Sequence, residues 1–430
     1  MTVNIDFLLA AFSFISLYYV VMAILALKKR KTPIADPDLK AFGYVILIPA
    51  HNEEMVIAET VLSMTKLPGR CHVVIIDDGS KDLTPEMVQP YLCDNVHLFQ
   101  RVKPNAGKGK GAALNAAYRY ALSNVGEWFP DLSEDQIAIG VTDADVYVAP
   151  AIIAEVTAMF QTCDYGAVQA PVAIRGASKN PWLLMQDMEF MSYFYVIQRA
   201  RHHISSVAMG GNGQFIRLSA MRKLGDIPWT DCLTEDIDIG MRLIACNETI
   251  AFTGATPVVQ HGLTNVRSLV KQRTRWVQGH YQVWRRIPEI WASKAKLVTK
   301  TDATLYLLMI LMPWVLLTDY SFGVLSAFGA VHITSGWLQT MGNANPYLPN
   351  AFQLLLSFSI QLFLLPTYFR VTRVKAPWYT IPGIAVLFAI YAAGIWIVAS
   401  ILAMWRIARR KRNWTKTERE NVSVGIGSAV

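Results

Sequence analysis

The chain has 430 residues, a formal net charge of +8, 53% hydrophobic residues and only 17% charged ones. That balance excludes a wholly soluble protein and leaves room for one ordinary domain plus membrane segments. Five scattered cysteines (Cys71, Cys93, Cys163, Cys232, Cys246) have no C-x-x-C spacing, which argues against a zinc site or a disulfide framework and suits a reducing cytosol. The cations cluster at 28–31, 267–286 and 406–412, each beside an apolar segment. They therefore point to anionic lipid headgroups rather than to nucleic acid.

Residues 6–27, "DFLLAAFSFISLYYVVMAILAL", carry one charge at their edge and are long enough to span a bilayer. Lys28, Lys29, Arg30 and Lys31 follow, which by the positive-inside rule puts that end in the cytosol and the chain start outside. A basic n-region is missing and the apolar run exceeds a usual h-region, so a membrane helix is expected rather than a cleaved signal peptide. From about Ala41 to Thr264, short β-branched runs alternate with amphipathic stretches, the pattern of a parallel sheet with crossover helices. Strands are predicted at "YVILIPA" (44–50), "HVVIIDD" (72–78), "VHLFQR" (96–101) and "IAIGVTDAD" (137–145), and helices at "EEMVIAETVLSMTKL" (53–67) and "GAALNAAYRYAL" (111–122). Ligands of open α/β sheets bind just outside the C-terminal ends of the strands, so the acids there already mark a site.

"NPWLLMQDMEFMSYFYVIQRARHH" (180–203) predicts a long aromatic helix, either a core helix or one lying on the membrane. "AMGGNGQFIR" (208–217) is a glycine-rich turn leading into a strand. After Thr301 come apolar blocks at about 303–331, 351–369 and 379–405. The loop between the first two is uncharged and is expected outside, whereas "RVTRVK" (370–375) and "RIARRKR" (406–412) both favour the cytosol. Three simple crossings do not satisfy both: either the tail lies outside, or one block is a hairpin or re-entrant. Asp319, Gln353 and Gln361 fall in or near these blocks, to line a channel or to bond helix to helix.

Four constellations fall at loop positions of the α/β unit. Asp77-Asp78-Gly79-Ser80 is ordinary turn chemistry, yet at a strand end it can accept hydrogen bonds from a nucleobase imide and a ribose hydroxyl. Asp143-Ala144-Asp145 offers two hard carboxylates that, with a diphosphate, suit Mg²⁺ or Mn²⁺. Thr234-Glu235-Asp236 reads as a helix N-cap with acids at the positive helix end, compatible with Asp236 serving as general base toward an acceptor hydroxyl. Gln272, Arg275 and Trp276 lie three and four residues apart on one helical face. There an Arg fork matches phosphate oxygens, and the indole matches the C–H face of a pyranose. Further along the same stretch, Trp284, Arg285 and Arg286 are expected to face headgroups.

The ordered set "ILIPAHNEE" (46–54), "IIDDGSKD" (75–82), "GKGAALN" (109–115), "TDADVYV" (142–148), "TEDIDIG" (234–240) and "QRTRW" (272–276) resembles the processive, membrane-integrated family-2 glycosyltransferases. These are the synthases of cellulose, chitin, hyaluronan and poly-N-acetylglucosamine. The resemblance covers about residues 44–280 and implies an α/β, Rossmann-like GT-A domain in the cytosol plus α-helical transmembrane segments. It implies that Asp77 and Asp78 hold uridine, helped by Pro49 to Glu53, and that Lys110 lies near the uracil and diphosphate. Lys108 competes for that role, because the loop is two residues longer than the usual form. Asp143 and Asp145 are implied to bind metal and diphosphate, Asp236 to be the base and Trp276 to stack on the acceptor sugar. Gln272, Arg273 and Arg275 are implied to line the acceptor and diphosphate region, with "GGNG" (210–213) beside the acceptor.

The implied domains are a membrane helix with basic flank (1–31), the GT-A domain (41–265), an interface-helix region (266–300), membrane helices (301–412) and a polar tail (413–430). The implied reaction is inverting polymerisation of a β-linked polysaccharide from UDP-N-acetylglucosamine or UDP-glucose with Mg²⁺ or Mn²⁺. The growing glycan would cross the plasma membrane, and export or accessory subunits are compatible partners. The alternative is transfer of one sugar to a lipid, diacylglycerol or a polyprenyl carrier.

Overall fold

In the computed structural model of the chain, the described residues are 2–28, 33–345, 347–349, 352, 364–374 and 378–411. Lys29, Arg30, Lys31, Gln353, Gln361 and the tail 413–430, together with most of the apolar block 351–369, lie outside them.

The strand Gly43–Ala50 is buried along nearly its whole length, as expected for a near-continuous apolar run covered on both faces. Its period of two sends Val45 and Leu47 into one core with Ala113, Leu114 and Ala117 of the helix Lys110–Trp128. Tyr44, Ile46 and Ile48 enter a second core with Ile57 and Val61 of the helix Ile57–Met64 and Ile152 and Val156 of the helix Ala151–Thr162. Three layers result. Across the central sheet the strand order is Ile250–Phe252, Ala167–Gln169, Gln214–Arg217, Ile137–Val141, Gly43–Ala50, Arg70–Asp77, Val96–Gln100.

The sheet is mixed rather than parallel, because Gln214–Arg217 runs antiparallel to both of its neighbours. The chain enters that strand from the glycine-rich turn at the site end, so it can only run back. Direction of this kind leaves no trace in a hydrophobic pattern. A second difference is local: the helix predicted from Glu53 starts at Ile57. The backbone N–H groups of Asn52, Glu53 and Glu54 donate instead to Ser80 Oγ, Thr84 Oγ1 and Asp82 Oδ2, at 2.9, 2.7 and 3.2 Å. Those bonds tie the first site loop to the second.

The aromatic stretch is a core element. Asn180 caps the helix Pro181–Ser192 by accepting from the Trp182 and Leu183 N–H groups. The chain continues as a π-helical turn, Tyr193–Gln198, and a short helix, Arg199–His203. Residues such as Met185, Met188, Val196 and Ala200 are buried, and the run packs between the strand Val172–Arg175 and the apolar helix Asp6–Ala26.

Three helices, Asp6–Ala26, Leu297–Ala327 and Ile381–Ala408, are long and apolar enough to cross a membrane. Thr2–Asn4 pairs in parallel with His332–Thr334, and Asp6 accepts from the Ser335 hydroxyl at 2.5 Å and the Gly336 N–H at 3.2 Å. The chain start and the loop after Leu297–Ala327 thus share one end. At the other end, Gln278 Nε2 donates to the Lys411 carbonyl at 2.7 Å, and Arg406 Nε donates to Gln278 Oε1 at 2.9 Å. The described chain therefore finishes beside the α/β domain.

That domain is locked to the helices by buried polar groups. Arg201 Nε donates to Asp302 Oδ2 at 2.8 Å, Tyr18 OH donates to Asp302 Oδ1 at 3.0 Å, and the guanidinium stacks 4.2 Å from the Tyr306 ring. Removing one partner strands a buried charge. Asp302→Ala is expected to cost about 3–5 kcal/mol, read as a large drop in melting temperature in detergent; an unshifted melt would contradict this account.

Trp284, Arg285 and Arg286, which the sequence reading expects at headgroups, each also bond to groups of the protein. Arg286 donates to Asp238 at 2.8 Å and Glu289 at 2.7 Å, Arg285 to the Thr230 hydroxyl at 2.9 Å, and Trp284 Nε1 to the Leu307 carbonyl at 3.0 Å. Apart from Glu289, three residues on, these partners are more than twenty positions away, so no local pattern shows them.

Candidate active site

At the C-terminal ends of the central strands a cavity of about 880 Å³ opens, and it continues between the apolar helices. Pro49, Glu53, Asp78, Lys110, Asp143, Asp145, Asp236, Gln272, Arg275 and Trp276 all line it. Residues scattered over more than two hundred positions thus meet around one cavity: most follow a strand end or begin a helix there, while Gln272, Arg275 and Trp276 come from the middle of the helix Val266–Val283.

The Asp143-Ala144-Asp145 turn is held from two sides. Thr60 Oγ1 donates to the Ala144 carbonyl at 2.7 Å and accepts from the Val146 N–H at 3.1 Å. Asn212 Oδ1 accepts from the Asp143 N–H at 2.6 Å, and Asn212 Nδ2 donates to Gln260 Oε1 at 2.6 Å. The glycine-rich turn that carries Asn212 is fixed by Gln169, which is fully buried. Its Nε2 donates to the Asn212 carbonyl at 2.7 Å, and its Oε1 accepts from the Gly210 N–H at 2.8 Å. Sequence reading assigned no role to Asn212 or Gln169. The only local signal was the Asn inside "GGNG".

Lys110 sits at the start of its helix and bridges two acidic elements: its Nζ is 2.7 Å from Asp143 Oδ1 and 2.9 Å from Glu235 Oε1. Burial opposes the charge on this ammonium, but the Asp143, Glu235 and Asp236 carboxylates outweigh it and raise the lysine above its ordinary value. Of the two candidate lysines, Lys110 rather than Lys108 lines the cavity. Gly211 packs between the partners; a Cβ there would lie 3.4 Å from both Asp236 Oδ2 and Lys110 Nζ.

Asp236 lies in the first turn of the helix Glu235–Ala245, as its motif suggested. The Thr234 side chain makes no capping hydrogen bond, contrary to expectation. It lies instead against Gly279, where a Cβ would come within 2.5 Å of Thr234 Cγ2. Burial and the adjacent Glu235 push the Asp236 carboxyl up to about 7, with Lys110 pulling the other way. A carboxylate poised near neutrality beside a cleft can take a proton from a hydroxyl.

Two expected site residues do not line the cavity. Asp77 is buried, and its Oδ1 accepts from the Ser80 N–H at 2.9 Å, so it shapes the turn that presents Asp78. Asp78 is itself held by the Arg101 guanidinium, and its carbonyl lies 3.0 Å from His51 Nδ1. Arg273 is fully buried behind the cavity wall and pairs with Glu189, which does line the cavity. In a run of five residues on one helix only part faces any given side.

Among the described residues no group of three or more His, Cys, Asp or Glu stands close enough to hold a metal unaided. Asp143 and Asp145 supply two hard oxygen donors on one turn lining the cavity. That donor set fits a divalent cation sharing its shell with substrate phosphates.

Residues 42–279, over half of the chain, match the model of the family described as "Glycosyltransferase like family 2". The chain belongs to that family. The enzyme is 34% identical over 246 residues to a β-monoglucosyldiacylglycerol synthase of Trichormus variabilis, a match covering 55% of this chain and 48% of the relative. The glycosyltransferase thus spans about half the length of that relative. It is 26% identical over 314 residues to a poly-β-1,6-N-acetyl-D-glucosamine synthase of Staphylococcus epidermidis, covering 71% of this chain and 70% of the relative. Its fold is similar to that of a mannosyltransferase from Pyrobaculum calidifontis in complex with GDP-Man and Mn²⁺, with a TM-score of 0.57, 20% identity, and coverage of 93% of this chain and 97% of that one. The enzyme thus has a GT-A-like α/β fold with a mixed sheet, joined to three long apolar helices.

Proposed function

We propose that this family-2 glycosyltransferase moves one hexosyl unit from UDP-glucose or UDP-N-acetylglucosamine to the hydroxyl of a lipid acceptor held in the membrane. The observation that carries this reading is the chemistry of the cavity wall between the apolar helices, where Met309, Ile310, Met312, Leu316, Phe388 and Ala392 meet. A glycan threaded along that wall leaves hydroxyls without partners, at about 1–3 kcal/mol each. An acyl or prenyl chain there gains roughly 25 cal/mol per Å² of apolar surface buried. The likeness to a glycolipid synthase supports the same reading.

Polymerisation is the second reading. It is favoured by Trp276 in the cavity, a platform for a sugar ring, and by the likeness to a polysaccharide synthase over a longer share of the chain.

In either case the chemistry is one displacement. Asp236 takes the proton of the acceptor hydroxyl as its oxygen attacks the anomeric carbon. The new C–O bond forms opposite the bond that breaks to the diphosphate oxygen, so configuration inverts and UDP leaves with the electron pair. Asp78, with Pro49 and Glu53, faces the nucleoside, while Lys110 and Arg275 bring positive charge to the diphosphate. Mg²⁺ or Mn²⁺, held by Asp143 and Asp145 with the diphosphate, supplies further neutralisation of the leaving group; the mannosyltransferase of similar fold is in complex with Mn²⁺. Trp276 and Gln272 seat the acceptor. The catalytic domain lies on the cytosolic side of the plasma membrane, where UDP-sugars are found.

Product size tests the reading. Protein in lipid nanodiscs, given each UDP-sugar and diacylglycerol or a polyprenol, is expected to yield an organic-soluble lipid bearing one sugar, seen by mass spectrometry. A product of many linked sugars, soluble or insoluble in water, overturns the lipid reading in favour of the polymer.

A further inference from the structure

Arg273 belongs to the Gln-Arg-Thr-Arg-Trp run yet has no surface in the cavity. Its surroundings are nonetheless highly ordered. Arg273 Nη2 donates to Glu189 Oε2 at 2.8 Å, and Nη1 donates to Gln272 Oε1 at 2.5 Å. The guanidinium carbon lies 4.0 Å from the centre of the Trp276 ring, with the Phe190 and Trp396 rings at 5.6 and 5.8 Å. Glu189 is claimed from the membrane side as well: Tyr391 OH donates to its Oε2 at 2.7 Å, and Trp396 Nε1 donates to its Oε1 at 3.1 Å. Tyr391 and Trp396 both belong to the helix Ile381–Ala408.

We propose that Glu189 and Arg273 form a positioning hub through which the last apolar helix fixes the orientation of Trp276 and Gln272, and so sets where the acceptor sits. The proposal rests on the reading of Trp276 as the acceptor platform. Three observations support it. First, a buried ion pair is a poor device for stability, since apolar residues of similar volume commonly do as well, and Arg273 Nε has no hydrogen-bond partner among the described residues. The cluster is therefore not arranged for stability alone. Second, the charged group covers the platform ring at cation–π distance, which restricts the indole without occupying the cavity. Third, both carboxylate oxygens of Glu189 are claimed by the last helix, so a shift of that helix is passed to Arg273 and on to Trp276. The acceptor emerges between the apolar helices, and the hub ties its seat to one of their walls. Glu189 lines the cavity and Arg273 does not; the proposal gives both a positioning role, exerted through Trp276 and Gln272.

The test separates acceptor use from donor chemistry. Tyr391→Phe deletes one hydrogen bond to Glu189 with little change of volume. It is expected to raise the acceptor KM about 3- to 10-fold, while UDP release from the donor in the absence of acceptor stays within about two-fold. Glu189→Gln is expected to shift the acceptor KM further in the same direction, with the same sparing of donor hydrolysis. Trp276→Ala serves as the reference and is expected to show the same split more strongly. Unchanged acceptor KM in both hub variants, with a raised one in Trp276→Ala, overturns the hub and leaves the platform standing. A parallel fall of transfer and hydrolysis in the hub variants also overturns it, since that pattern belongs to a fold or donor-site defect. Unchanged acceptor KM in Trp276→Ala removes the platform itself, and the hub with it.

Discussion

Asp236→Asn is expected to lower kcat by about 10²–10⁴-fold with donor affinity almost unchanged. Asparagine keeps the shape of the side chain and cannot accept the acceptor's proton. The carboxylate faces the cavity, one residue past Glu235 and across from Lys110, and its acid form persists to about pH 7 because burial and Glu235 disfavour the charge. Only the unprotonated form works as a base, so wild-type kcat/KM is expected to fall as pH drops below neutrality. Lys110 favours the charged form; removing it in Lys110→Met is expected to move that acid limb to higher pH. Steady-state rates across pH 5.5–9 check both, and an Asp236→Asn enzyme of near wild-type rate would falsify the assignment of the base.

Asp145→Ala is expected to cost on the order of 10²–10³-fold in transfer rate, matching the several kcal/mol that charge neutralisation at a diphosphate contributes. Asp145 is almost fully buried on a turn that Thr60 supports from below, so truncation removes a donor atom while the turn keeps its other contacts. Two signatures distinguish this from misfolding. The variant should lose the stimulation by Mn²⁺ or Mg²⁺ that the wild type shows after chelator treatment, and UDP binding by calorimetry should lose its dependence on the ion. A variant that is slow yet still stimulated by the ion as strongly as wild type would place the cation elsewhere.

Much of this site can be read along the chain. Asp78, Lys110, Asp143, Asp145 and Asp236 reach one cavity from places after strands and at helix starts, and Gln272, Arg275 and Trp276 reach it from one face of a helix. Strand ends of one α/β sheet converge on the same edge, and that rule needs only order and spacing. Asp77 and Arg273 show the limit of such reading. Each neighbours a residue that lines the cavity, but Asp77 gives its carboxylate to the Ser80 N–H and Arg273 turns to Glu189, eighty-four positions away. Orientation within a motif is settled by partners, inside it for Asp77 and far outside it for Arg273.

The sequence by itself determined the α/β alternation, the acidic turns at the strand ends, the apolar stretches that form the helices Asp6–Ala26, Leu297–Ala327 and Ile381–Ala408, and the family. These follow from local periodicity, turn chemistry and ordered spacing, all written along the chain. Only the tertiary structure decided that Gln214–Arg217 runs antiparallel, that Asn212 and Gln169 hold the Asp143 turn, and that Arg285 and Arg286 bond to Thr230 and Asp238. It also decided that a glutamate in a core helix joins the last apolar helix to the Trp276 ring. For Asn212, Gln169, Arg286 and the glutamate, a largely buried polar group had to find a partner, and burial makes that requirement strong while leaving the partner's place in the sequence free.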